Sequence, residues 1–202
     1  MNFLLKISRV IDGLNKLIGR YIIWLTLIVV VVSATNAVSR KLLHMSSNAW
    51  LELQWYLFGA IFLLASGYTF LKNEHVRVDV VSQMLPRRAQ IIIEIIGVVF
   101  FLFPAFALVF WLSIPFFYKS WVFMEASSNT GGLIRWPVKL LLPVGFGILL
   151  LSGVSHLIKC IAYLAGDAPD PLARSEEPSS EEALAQEILK YSVHDNNTNS
   201  KR

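Results

Sequence analysis

The stretch "IIGVVFFLFPAFALVFWLSIPFFY", residues 95–118, holds 24 residues without Asp, Glu, Lys, Arg or His. As a helix rising 1.5 Å per residue it extends about 36 Å, more than the roughly 30 Å hydrocarbon core of a bilayer. Three further runs lack Asp, Glu, Lys and Arg: Tyr21 to Ser39, Leu53 to Leu71 and Leu140 to Ile158, each 19 residues long. Inside lipid every backbone N–H and C=O needs a partner within its own segment, and unbroken runs without two-residue alternation favour helices over barrel strands. The reading is an all-α polytopic membrane protein with four transmembrane helices, at about 21–39, 53–71, 92–118 and 140–161, in a membrane domain of residues 1–165. Composition agrees, with 55% hydrophobic residues, 16% charged and a mean hydropathy of +0.56.

Outward from those runs, Phe3, Leu4, Ile7, Val10, Ile11, Leu14, Leu17 and Ile18 recur at helical spacing, with Lys6, Arg9, Lys16 and Arg20 mostly opposite. That pattern predicts an amphipathic interfacial helix on an anionic leaflet leading into the first span, retained rather than cleaved as a signal peptide. At the other end, residues 166–202 turn to Pro, Ser, Asp and Glu and cannot bury enough surface to fold alone. They read as a mobile, largely disordered tail, with a short helix from Ser179 or Ser180 to about Tyr191.

Ten Lys or Arg flank one side of the membrane (Lys6, Arg9, Lys16, Arg20, Lys72, Arg77, Arg87, Arg88, Lys159, Arg174) and five the other (Arg40, Lys41, Lys119, Arg135, Lys139). The positive-inside rule then puts both termini in the cytoplasm. These cations are scattered through loops, so the net charge of +4 reads as a topology signal and no nucleic-acid partner is expected. Membrane lipids are the expected contact.

Few ionisable residues fall within the spans. Glu94 opens the third and His156 and Lys159 close the fourth at similar depth, so Glu94 is expected to pair with one of them as a link between helices. Glu52, opening the second span, reads as a solvated carboxylate within reach of Arg40 or Lys41. Asn36, Ser33 and Thr35 in the first span, Ser66 and Gly67 in the second, and Gly145, Gly147, Ser152, Gly153 and Ser155 in the fourth suggest faces packed on protein. Pro104 and Pro115 should bend the third span or free a carbonyl.

Between the second and third spans, "KNEHVRVDVVSQMLPRR" (72–88) reads as an inner-leaflet helix ended by Pro86, with His75 and Asp79 four apart on one face. One His and two carboxylates lack a second ligand cluster, so no metal is expected. There is no nucleophile with its base, no phosphate-cradling glycine loop and no CxxC, so neither catalysis nor a cofactor is expected.

Four spans, "EHVRVDVV" (74–81) followed by "LPRR" (85–88), and the outer "GGLIRWPVKLLLPVGFGILLLSGVSHLIK" (131–159) resemble the DctQ-type small membrane subunit of tripartite ATP-independent periplasmic (TRAP) transporters, over roughly residues 10 to 165. The resemblance implies a bacterial inner-membrane scaffold paired with a large multi-span DctM-type permease, which holds the substrate and sodium sites, while a periplasmic solute-binding protein delivers an organic acid or related solute. Carried over by residue, Glu74, His75, Val76, Arg77, Asp79, Arg87 and Arg88 fall in the cytoplasmic motif, and Gly131, Gly132, Leu133, Arg135, Trp136, Pro137 and Lys139 in the periplasmic loop motif. Two other classes are weaker. A haem-binding anchor of an oxidoreductase needs His pairs at matching depth, and only His156 lies in a span. A proton-coupled exporter needs a mid-membrane carboxylate, which the runs lack.

Overall fold

A computed structural model of the chain describes residues 2–42, 47–72 and 85–172. Glu74, His75, Arg77 and Asp79, with most of the expected inner-leaflet helix and the tail helix at 179–191, lie outside the described residues. Four helices are long and apolar enough to cross a membrane, and the described residues contain no strand. The first two are α1 (Asn2–Leu42) and α2 (Asn48–Leu71). The third span is composite: α3 (Arg87–Gly97), a π-helical turn (Val98–Leu102) and α4 (Phe103–Val122). The fourth is α5 (Trp136–Leu164).

Pro86 caps the start of α3, as its ring and missing N–H demand. The π turn immediately precedes Pro104, which has no N–H to give the helix and whose ring crowds the carbonyl one turn back. A widened turn at that point takes up the mismatch. Pro115, by contrast, sits inside continuous α4.

Helix α5 is the centre of the bundle. A third of its most apolar window is buried (33%), against 6% to 11% for the other spans, and it packs on α1, on α2 and on the third span. Its small residues allow this: Gly145 faces Leu63 of α2, and Gly153 faces Leu102 and Phe103 of the third span. Phe70, Val98 and Leu149 form the innermost apolar cluster, with Phe103, Phe106 and Phe146 packed around it. Across α5, the backbones of α2 and the third span do not approach each other closely.

Helix α1 runs unbroken for 41 residues, about 60 Å, so no boundary separates the amphipathic lead-in from the first span. Its inward positions recur every seven residues at Ser8, Asn15, Ile22, Val29 and Asn36, the spacing that keeps one helix face on its neighbours over a long contact. Most of the apolar stripe near its start points away from the bundle, Ile11 excepted: Phe3 and Val10 are each 74% exposed, whereas Ser8 and Asn15 are 1% exposed. Ser8 finds its hydrogen-bond partner in Ser155 of α5 and Asn15 donates to the Ile11 carbonyl of its own helix, while an apolar face is satisfied by hydrocarbon or by another protein.

Candidate functional site

The ionisable residues of the spans gather at the two ends of the bundle. None of Asp, Glu, Lys or Arg occurs in residues 21–39, 53–71, 95–118 or 140–158. The terminal end, where α1 begins and α5 finishes, and the loop end, where α4 hands over to α5, each carry a polar knot.

At the loop end, residues 123–135 fold back over the first turns of α2. Glu52 is 5% exposed and accepts hydrogen bonds from Ser127 Oγ, from Asn129 Nδ2 at 2.9 Å and from the Leu133 backbone N–H at 2.7 Å. This corrects the expectation of a solvated carboxylate facing Arg40 or Lys41. Its donors come from a loop some 75 to 81 residues along the chain, and only the folded loop brings them in. Gly131 turns the backbone at φ +73°, and at Gly132 an added Cβ would lie 2.8 Å from Glu52 Oε1, so the pair of glycines lets the loop close on the carboxylate. An isolated antiparallel bridge joins Ala126 to Ile134, and Asn48 Nδ2 donates to the Thr130 carbonyl at 2.9 Å.

The rest of the loop motif surrounds Glu125. Lys139 donates to its carboxylate, and Arg135 Nη1 lies 3.6 Å from it, while the Arg135 backbone N–H donates to the Glu125 carbonyl at 2.8 Å. The Lys139 hydrogen bond, with the positive charge beside it, holds the Glu125 carboxyl below its ordinary value. Lys139 Nζ also sits 4.1 Å from the centre of the Phe116 ring. Trp136 meets Trp121 edge to face at 4.5 Å, and Pro137 occupies the first turn of α5, where a missing N–H costs nothing. A second loop-end link joins α1 to α2, where Gln54 bonds to Ser33 and accepts from Asn36.

At the terminal end, Ser8 Oγ and Ser155 Oγ are 2.8 Å apart, Ser155 donates to Asp12 Oδ1 at 2.6 Å, and Asp12 Oδ2 pairs with Lys159 at 2.5 Å. Lys159 is thus turned to α1, and Glu94 meets His156 instead, at 3.2 Å from Nε2. Cys160 Sγ lies 3.5 Å from the same nitrogen, and Phe70 packs edge to face on the imidazole. Arg87 bonds Asp170 through Nε at 2.6 Å and Gln90 through Nη1 at 2.8 Å, tying α3 to the chain beyond α5. Arg88 is exposed. Among the described residues no group of three or more His, Cys, Asp and Glu is placed to hold a metal ion.

Sequence reasoning missed Asp12, Glu125 and Asp170 and misjudged Glu52. Asp12 carried a usable signal, because Ser8, Asp12 and Asn15 stand at i, i+4 and i+7 on one face of a helix that is otherwise apolar or basic. The others have none, since Glu125 and Asp170 themselves lie in irregular chain, as do the donors to Glu52.

The geometry is that of a braced bundle, with ion pairs and hydrogen bonds fastening its ends, an apolar middle and large apolar side chains turned outward. A family model described as "Tripartite ATP-independent periplasmic transporters, DctQ component" matches residues 28–162. The matched range takes in the loop-end knot, Glu94, His156 and Lys159, and leaves Ser8, Asp12 and Asn15 outside it. No curated protein matches the chain.

Proposed function

Because the chain belongs to the DctQ family of tripartite ATP-independent periplasmic (TRAP) transporter components, we propose that it is a scaffold subunit rather than a solute path. On this reading it pairs in a bacterial inner membrane with a large DctM-type permease and keeps both termini in the cytoplasm. The complex then takes up an organic acid or related solute, driven by sodium and delivered by a periplasmic binding protein.

One observation supports the scaffold role above the rest: every ion pair given by the described residues lies at an end of the bundle, and the middle of each span offers no ionisable group. Transporters that bind anions and sodium at the bilayer midplane do so with interrupted helices and exposed backbone there. Here the third span widens into a π turn without breaking. Phe100, Phe101 and Trp111, 69% to 74% exposed, give that span an outward apolar face fit for lipid or for a large hydrophobic partner.

The test is reconstitution. Proteoliposomes with this chain alone should take up no labelled organic acid under an inward sodium gradient, and adding the large permease and the binding protein should start uptake. Uptake by the chain alone would overturn the reading.

A further inference from the structure

We propose that the cleft between α2 and the third span is a binding site for one acyl chain of a phospholipid, drawn from the leaflet at the terminal end of the bundle. The cleft exists because both walls pack closely on α5 while their backbones stay apart from each other. Its volume is about 460 Å³, and its lining includes Phe62, Ser66 and Phe70 from α2, Phe106 from α4, and Phe146 and Leu149 from α5. Ser66 spends its hydroxyl on the Leu63 carbonyl of its own helix at 2.7 Å. The one ionisable lining group, Glu94, is turned to His156.

Depth selects the occupant. From Phe62 to Phe70 the α2 wall runs about 12 Å, and from Glu94 to Phe106 the opposite wall runs about 18 Å, at 1.5 Å per residue. Those lengths match one half of a hydrocarbon core about 30 Å thick, which is the reach of a single leaflet's acyl chain. The lining stops at that half-depth, at Phe62 and Phe106, whereas a spanning helix packs along the full thickness of the hydrocarbon core.

The walls are fixed before anything binds. Phe106 stacks on Phe146 at 5.7 Å at the deep end, and Phe70 leans on His156 at 5.4 Å near the mouth. The π turn, Val98–Leu102, falls in sequence between the two lining residues of the third span, Glu94 and Phe106. Leaving an apolar cleft empty forfeits dispersion contacts on every wall, and a chain of methylenes restores them without any polar partner. Arg87 falls two turns beyond Glu94 on the same face of α3, with Arg88 exposed beside it, at the depth where the phosphate of that lipid lies.

The full chain, purified in mild detergent and stripped of lipid, is titrated with dioleoyl phosphatidylglycerol and dioleoyl phosphatidylethanolamine and followed by native mass spectrometry. One tightly held phospholipid per chain is expected. Ser66→Val and Ser66→Phe should weaken it in order of side-chain volume, the larger by at least about tenfold, or 1.4 kcal/mol. Val109→Phe, outside the lining, should leave it unchanged, and Arg88→Gln should weaken both lipids. The graded series keeps the test informative where Ser66→Phe does not fold. No stoichiometric lipid, or equal retention across the Ser66 series, overturns the proposal. So does efficient cross-linking of Ser66→Cys in native membranes to another copy or to a partner helix, which would mean that protein fills the cleft.

Discussion

Glu52, on the second turn of α2, accepts the backbone N–H of Leu133 at 2.7 Å from a loop 81 residues further along the chain. That single bond shows how the loop end is built: a buried carboxylate at the start of one span gathers the connector between two others. In Glu52→Ala the Leu133 amide should exchange with solvent about ten times faster or more, since its charged acceptor is gone. Glu52→Gln, which keeps an acceptor, should fall between. Hydrogen exchange read by mass spectrometry over residues 123–135 checks both.

Gly67 permits a three-helix junction. A Cβ there would lie 2.5 Å from Asn15 Oδ1 of α1 and 2.6 Å from Ile148 Cγ2 of α5. Gly67→Ala should destabilise the bundle by about 1–3 kcal/mol, the usual cost of overpacking. Unfolding in mixed micelles measures it, and a neutral or stabilising result would mean that α1 and α5 yield freely.

The pair between Glu94 and His156 is the polar tie between the third span and α5. Glu94→Leu leaves a buried imidazole without its oxygen partner and should cost about 1–3 kcal/mol, while Glu94→Gln should cost less. The same unfolding assay separates them.

Asp12 joins Ser155 and Lys159 across α1 and α5. A double-mutant cycle of Asp12→Asn and Lys159→Met should give a coupling of about 1 kcal/mol, which is what a partly exposed pair supports. Independent effects would mean that the pair does not fasten α1.

Glu125 gives the loop end a defined acid limit. Its folded carboxyl is held below the ordinary value of 4.5, so it contributes stability above that pH and loses it as the pH falls through the lower, folded value. Fluorescence of Trp121 and Trp136 should therefore stay constant from neutral down to that ordinary value and change only below it. Glu125→Gln should remove the transition.

How much of this was legible in the sequence follows from how local each signal is. The spans could be read because an uncharged run of 19 or more residues states its own length and solvent. Ser155 and Gly153 announced a crowded helix face because small residues in a span have few other uses, and α5 is the central helix. Glu94 was expected to meet one of two residues, and depth alone could not choose between them. The choice was settled by Asp12, which draws Lys159 to α1. Glu52 was misread because its neighbours in sequence are not its neighbours in space. Ser33 and Asn36 marked the side of the first span that meets α2, whereas periodicity near the start of α1 did not single out Ser8 and Asn15 as its buried face, since hydrophobic outside and polar inside is allowed only where lipid replaces water.

If this subunit braces a partner, it should not leave the membrane alone. The chain, affinity-tagged and expressed in its own bacterium, is solubilised in mild detergent, and the mass and composition of the purified particle are determined. A stable complex with one large, many-span permease is the predicted result. Recovery of this chain by itself, monodisperse and with its loop-end knot protected from exchange, would contradict the scaffold role.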